Sequence, residues 1–485
     1  MKEGLLRFRA RFVHLADTLR GSYWFVPAVM ALGATALAGG MILLDSRKGS
    51  AWMDGVAWLH AAHPDGARQV LAAIGGSMIT VAGTVFSVTI AAVVYASGQY
   101  GPRLLSNFMS DRGNKVTLGT FIGTFLYCLI VLRTIRSPQE SGGAGFAFVP
   151  NLSLLVGVLL AFCSIAVLIF FIHHVPSRIH INSVIEGIGD RLLREIDRRF
   201  PRLVGAPPSD EERTGGQTAV PAAFQGEGRA GVARGRFEVT AQRTGYIQMI
   251  DEAVILSAAQ THDLVLRLRY QPGDFIHVGR RLVDAWPEER CNDDVVSSIR
   301  DAFAVGARRS ATQDLRFLID ELVEIAARAL SPGVNDPFTA VTCLDWLGAA
   351  LADLASRPLP SHLRFDSEHA LRIIAHPITF EGFVDQAFGT LAQYCARDMV
   401  ASLHYLGALG EVALDCEDAA RLSCLTNCAG KLDELAGHAL EGFNRSRVHE
   451  RARELRRALS EPDPGRRQSE CDARLGGTAA PGDNG

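Results

Sequence analysis

The chain has 485 residues, with 49 Lys and Arg against 52 Asp and Glu and a formal net charge of -3. So even a balance argues against a nucleic-acid partner, which asks for a basic excess, and the length exceeds that of one ordinary domain. Apolar residues are unevenly spread: the stretch up to His174 holds long runs free of Asp, Glu, Lys and Arg, whereas the remainder has the charge density of a water-soluble protein.

Residues 1–20 form a basic segment with Lys2, Arg7, Arg9, Arg11 and Arg20. A hydrocarbon core of about 30 Å takes about 20 apolar helical residues, and within residues 21–174 four stretches meet that need, near 23–44, 70–97, 116–132 and 152–172. Tyr23 and Trp24 open the first at a position suited to the headgroups. Basic residues concentrate before the first span, between the second and third (Arg103, Arg112, Lys115) and after the fourth (Arg178, Arg191, Arg194, Arg198, Arg199). The positive-inside bias therefore places both termini in the cytoplasm of a multi-pass inner-membrane protein. Between spans two and three, Leu104, Leu105, Phe108 and Met109 form one face of a segment expected along the membrane surface.

Two constellations stand out within the spans. Ser77, Thr80, Thr84 and Ser87 are spaced by three, four and three, which aligns four hydroxyls on one face of span two. That face suits either the lining of a permeation path or close helix packing, with packing favoured. In span three, Gly119 and Gly123 form a G-x-x-x-G, a packing signature. No ionisable residue lies mid-span, which argues against a proton-driven carrier. His173, His174 and His180 gather at the end of span four, where interfacial anchoring outweighs a metal or pH site.

After the spans, residues 175–201 carry Ile181, Val184, Ile185, Ile188, Leu192 and Ile196 at helical spacing, an amphipathic helix. Residues 202–235 lack periodicity and are rich in Gly, Pro and Ala, as a flexible linker is. Residues 236–287 switch to short β-prone runs, Tyr246–Ile250 and Leu264–Tyr270, punctuated by Pro272-Gly273-Asp274 and by Gly279. From 293 to 459 the pattern is helical throughout, broken by Ser331-Pro332-Gly333-Val334-Asn335-Asp336-Pro337, and residues 460–485 form a disordered tail. In that break Asp336 is placed to cap the next helix and Pro337 suits its first position; for Asn335 and Asp336 turn and cap chemistry outweighs a ligand site. The fold class is thus mainly α: a four-helix transmembrane domain, a small β-rich module and a helical cytoplasmic domain.

Nine cysteines occur with no C-x-x-C, in apolar helical patterns that fit reduced, buried thiols. Cys424 and Cys428 share a helix face near Cys416, yet no histidine or second pair completes a metal site, and core packing is the favoured account. No P-loop, nucleophile elbow or H-E-x-x-H is present, so no catalytic residue is assigned and an enzyme is the least supported class.

Long strings carry a family resemblance: Gly76–Arg133 (GSMITVAGTVFSVTIAAVVYASGQYGPRLLSNFMSDRGNKVTLGTFIGTFLYCLIVLR), VPSRIHINSVI from Val175, the run Tyr246–Ile255, PGDFIHVG from Pro272 and ALSPGVNDPFTAV at Ala329–Val341. These resemble the DUF2254 family of bacterial membrane proteins. The resemblance implies a bacterial membrane location and this arrangement, and it supplies no catalytic residues. The GYIQ and PGDFIHVGRRL strings also look like the strand-turn pattern of lipoyl and biotinyl carriers and of barrel-sandwich modules.

Function divides between an oligomeric pore or transport-related protein with a cytoplasmic regulatory domain, and a membrane-anchored sensing or binding protein. The expected partners are the lipid bilayer and further copies of the chain, with no nucleic acid and no cofactor. Carrier modules attach their group to a lysine, and residues 236–287 contain none. Intact-mass measurement of the purified protein should therefore show no added lipoyl or biotinyl mass on this module, and either addition would refute the expectation.

Overall fold

The computed structural model describes residues 24–48, 64–100, 111–136, 148–200, 220–224, 235–366, 368–376 and 378–461, with a few positions up to 469. The basic segment 1–20, the surface segment between spans two and three, most of the linker and most of the tail lie outside the described residues. The chain divides into two compact units, 1–184 and 185–485.

In the first unit, α1 (Phe25–Lys48), α2 (Pro64–Tyr100), α3 (Arg112–Thr134) and α4 (Asn151–Ile179) are each long and apolar enough to cross a membrane. Each extends beyond its apolar run, because helical hydrogen bonding continues where hydropathy stops. α3 is the packing centre. Phe121 is fully buried against Met78, Ala82 and Val85 of α2 and Phe171 and Val175 of α4. Tyr127 and Cys128 are equally buried with Ala38, Ala67 and Leu71.

Several polar groups within this unit are paired locally, as a membrane interior favours. The Tyr127 hydroxyl donates to the Ser153 carbonyl at 2.9 Å, and Thr124 and Ser164 hydroxyls meet at 3.0 Å. At the start of α4 no residue of that helix caps it. Asp45 of α1 does so instead, accepting from the Leu152 and Ser153 amides at 3.2 and 2.9 Å and from the Ser153 hydroxyl at 2.6 Å. At the other end of α4, His174 Nε2 lies 2.9 Å from the Asp111 carboxylate, which also caps α3 through the Asn114 amide.

The boundary between the units falls within the first turn of α5 (Ile181–Arg199), whose Ile185, Ile188, Leu192 and Ile196 are buried. The next elements are β1 (Phe237–Thr240), β2 (Gly245–Ile250), α6 (Glu252–Thr261), β3 (Val265–Leu268), β4 (Phe275–Ile276), β5 (Arg281–Trp286), α7 (Asp293–Asp301) and β6 (Phe303–Gly306). Then come α8 (Leu315–Ala329), α9 (Pro337–Ala355), β7 (Leu363–Phe365), β8 (Leu371–Ile374), α10 (Phe380–Val384), a π-helical turn (Asp385–Gly389), α11 (Thr390–Cys395), α12 (Met399–Leu414), α13 (Ala419–Ala439) and α14 (Gly442–Leu459).

The strands form a five-stranded sheet, β1-β5-β3-β8-β7, and a three-stranded sheet, β4-β2-β6. Val239, Ile247, Ile255, Leu266, Val283 and Ile299 share one core between them. This extends the expected module: β6, β7 and β8 come from the stretch expected to be helical. β8 pairs in parallel with β3 through Leu266 and Ile373, a pairing no hairpin can make. The linker also contributes, since Phe224 is buried on this sheet among Val265, Leu363 and Leu371, with the Arg267 guanidinium 4.7 Å from its ring. In the tail, buried Arg467 donates to the Cys416 carbonyl at 2.7 Å.

A fifth helix, α9, also satisfies span length and hydropathy. Its Leu344, Leu347, Leu351 and Leu354 are buried within the second unit, each worth about 2 kcal/mol of apolar burial.

The β and helical parts of this unit are clasped at the Pro272-Gly273-Asp274 turn. The Arg309 guanidinium donates to Asp314 at 2.6 Å and also to Asp320, while Arg316 donates to Asp274 at 2.9 Å and to the Pro272 carbonyl. Burial pushes the Asp314 carboxyl up, against the opposing pull of Arg309. Gly273 has φ +94, and a Cβ there would stand 2.0 Å from Asp314 Oδ2. Gly273→Ala should thus displace a buried carboxylate from its arginine and cost about 3 kcal/mol, read by denaturant unfolding of the full chain. Gly333→Ala is the control, since its methyl would meet nothing within 4 Å; equal losses would discount the clasp.

Candidate functional site

The hydroxyl face of α2 is where the sequence pattern and the structure meet most directly. Ser77, Thr80, Thr84 and Ser87 are all exposed on the surface of the unit, as are Gly76 and Gly83 on the same side. The opposite side of α2 is occupied: Leu71, Met78, Ala82, Val85 and Thr89 are buried within the bundle. Each exposed hydroxyl donates to a carbonyl of its own helix, Ser77 to Ile74, Thr80 to Gly76, Thr84 to Thr80 and Ser87 to Gly83, at 2.9, 2.9, 3.2 and 2.9 Å. Such back-bonding lowers the cost of meeting hydrocarbon. It commits the hydroxyl proton and leaves oxygen lone pairs to face outward, so the stripe offers acceptors and very little bulk.

Gly119 and Gly123 lie where α1 crosses α3. A Cβ on Gly119 would fall 2.5 Å from Met30 Sδ, and one on Gly123 would fall 3.3 Å from Ala34 Cβ. The absence of side chains lets the two backbones approach, the packing role expected of the motif.

Asn335 and Asp336 sit outside the membrane unit, at the α8–α9 break. Asn335 takes a left-handed φ of +52, and the Asp336 amide donates to the Ala329 carbonyl at 2.8 Å, closing the end of α8. The Asp336 carboxylate then accepts from the Thr339 amide at 3.2 Å and the Thr339 hydroxyl at 2.6 Å, opening α9. The amide and both carboxylate oxygens of Asp336 are thereby engaged in turn and cap geometry.

The histidines at the end of α4 divide. His173 and His180 are exposed, whereas His174 joins α4 to Asp111 and stacks on Phe170 at 4.8 Å between ring centres. Gly113 makes room for that ring, since a Cβ there would lie 2.6 Å from His174 Nε2. Neither this link nor the Asp45 cap was signalled by local pattern, because each joins residues more than 60 positions apart. Among the described residues no group of three or more His, Cys, Asp or Glu could hold a metal ion, and Cys424 and Cys428 have no third ligand. The eight described cysteines are free thiols. Burial pushes Cys395 up to about 12 and Cys416 up to about 11, so both are protonated at neutral pH and unreactive.

A family model described as "Predicted membrane protein (DUF2254)" matches residues 20–411. The chain belongs to this family. Uncharacterized proteins of Mycobacterium bovis and of Mycobacterium tuberculosis are similar to it, each 30% identical over 419 residues, or 84% of this chain and 74% of the relative. No solved structure matches. The DUF2254 match runs from the start of the first span into α12, so it takes in the hydroxyl face, the glycine crossing, the clasp and the α8–α9 break.

In this DUF2254 protein the α1–α3 crossing has little room. Gly119→Val should lower the recovery of folded, monodisperse protein in mild detergent, with a loss of about 1–3 kcal/mol from overpacking. Gly33→Val serves as control, its added group meeting nothing within 4 Å. Equal behaviour of the two would remove Gly119 from the crossing.

Proposed function

We propose that this membrane protein is an oligomeric, passive conduit in which the Ser77, Thr80, Thr84 and Ser87 face of α2, repeated by several copies of the chain, lines a shared path. The observation that carries this reading is the exposure of four aligned hydroxyls, with Gly76 and Gly83 beside them, on a helix otherwise surrounded by apolar residues. A path within one copy has no room, because Phe121, Tyr127 and Leu71 fill the centre of the bundle. The stretches 25–44, 70–95, 116–132 and 152–172 contain no Asp, Glu, Lys or Arg, which supports passive flow over proton coupling. The distribution of basic residues supports an inner-membrane placement with both termini cytoplasmic, and the second unit then serves as a cytoplasmic regulatory part.

A second reading, a membrane-anchored binding protein whose spans only hold it in place, draws on the back-bonding of those hydroxyls, which can rest against lipid at little cost. One pair of measurements separates the two. Thr80→Val with Thr84→Val keeps shape and removes two acceptors; a conduit predicts a change of several-fold in solute or ion flux into liposomes with unchanged thermal stability. Thr84→Cys, in a background with Cys128 and Cys163 replaced by Ala, should form disulfide-linked dimers. Unchanged flux together with photo-crosslinks from position 84 to lipid alone would overturn the conduit and leave the anchor.

A further inference from the structure

The helical part of the second unit ends in a cleft between α13 and α14, of about 520 Å³, within the size range of sites for small molecules. Its floor is a face of α13 from which side chains are missing: Gly430 and Gly437 are two turns apart, with Asp433 between them. Glycine inside a helix costs about 1 kcal/mol against alanine, and a Cβ at Gly430 would meet nothing within 4 Å. The space is open, and nothing in the packing requires glycine there.

The walls carry two arginines and two histidines beside two carboxylates. α14 carries six arginines against two glutamates over its 18 residues, and two of those arginines, Arg445 and Arg456, line the cleft with His438 and His449. Asp433 is already committed. Its carboxylate accepts from His449 Nδ1 and from Arg456 Nη2, each at 2.9 Å, so it holds two donors in place at the cleft wall. Glu434 lines the exposed rim. Arg445 lies across Gly437, its guanidinium 3.8 Å from where a Cβ would stand. Among the described residues no carboxylate pairs with that guanidinium.

We infer that this cleft binds a small phosphate-bearing anion, with Arg445 as its principal contact and the Asp433-held Arg456 and His449 completing the donor set. A guanidinium suits this task, since its planar fork meets phosphate oxygens in pairs. The glycine floor lets the anion approach the helix surface between the two arginines. The same chemistry is offered by a soluble phosphoester and by an anionic lipid headgroup, and the site stands whether or not the spans form a conduit.

The test uses the full chain in nanodiscs of phosphatidylcholine, titrated with pyrophosphate at low salt by calorimetry. Saturable binding is expected, weakened at least tenfold by Arg445→Ala and by Gly430→Leu, which fills the floor while leaving every charge in place. Arg447→Ala, which removes a charge outside the cleft lining, should change affinity less than twofold. Nanodiscs containing an anionic phospholipid are the second arm: loss of pyrophosphate binding there, restored by excess pyrophosphate, names the headgroup as the source, and undiminished binding names a soluble phosphoester. Absence of saturable binding in phosphatidylcholine discs would overturn the site. So would equal weakening by Arg445→Ala and Arg447→Ala, which is the behaviour of a diffuse basic helix.

Discussion

The close approach of α1 to α3 over Gly119 and Gly123 is the contact on which the membrane unit depends. Between helices in lipid there is no hydrophobic gain from association, so dispersion contacts and buried hydrogen bonds decide whether they stay together. Removing side chains at two successive turns of α3 brings the Met30 and Ala34 region of α1 against its backbone. That frees the other sides of α3 for Phe121, Tyr127 and Cys128 to pack against α2 and α4. One helix thereby packs against the other three, and the hydroxyl side of α2 is left facing outward because its inner side is already spent.

The second unit is held by a different constraint, the burial of charge. Asp314 and Asp284 are each almost fully buried, and each has arginine partners: Arg309 and Arg316 for the first, Arg269 and Arg236 for the second. Buried pairs of this kind contribute little net stability relative to apolar packing, but removing one partner is costly. They fix registry. Asp314 pairs with Arg316, which in turn donates to Asp274 and the Pro272 carbonyl, and Asp284 sits in the middle of β5 where Arg269 crosses to it from the end of β3.

What was legible in the sequence follows from how local each cause is. Four spans are visible because lipid demands long apolar runs, and the Gly119/Gly123 crossing because spacing alone puts both on one face. Asp336 is legible for the same reason, as a cap reads only the three residues after it. The strands β6, β7 and β8 are three or four residues long, too short for a period-two pattern to rise above neighbouring helices, and β8 finds its partner more than 100 residues earlier. The anchored Phe224 escapes notice because one aromatic in a Gly- and Pro-rich stretch has no periodicity to reveal it. The hydroxyl face of α2 is legible as a face, yet its role depends on what lies opposite, which no spacing encodes. The cleft glycines at 430 and 437 look like ordinary small residues until α14 folds across them.

Asp45 reaches from the end of the first helix to the first turn of the fourth, and this sets an order on the making of the protein. A chain emerging from the ribosome has inserted α1, α2 and α3 before α4 exists, so for that interval Asp45 waits at the membrane surface without the two amides it will later receive. The amides of α4 in turn have no capping side chain of their own, since Pro150 precedes the helix. Closure of the bundle is therefore coupled to synthesis of its last member. A product truncated after α3 would lack the two amides and the hydroxyl that the Asp45 carboxylate receives in the finished bundle.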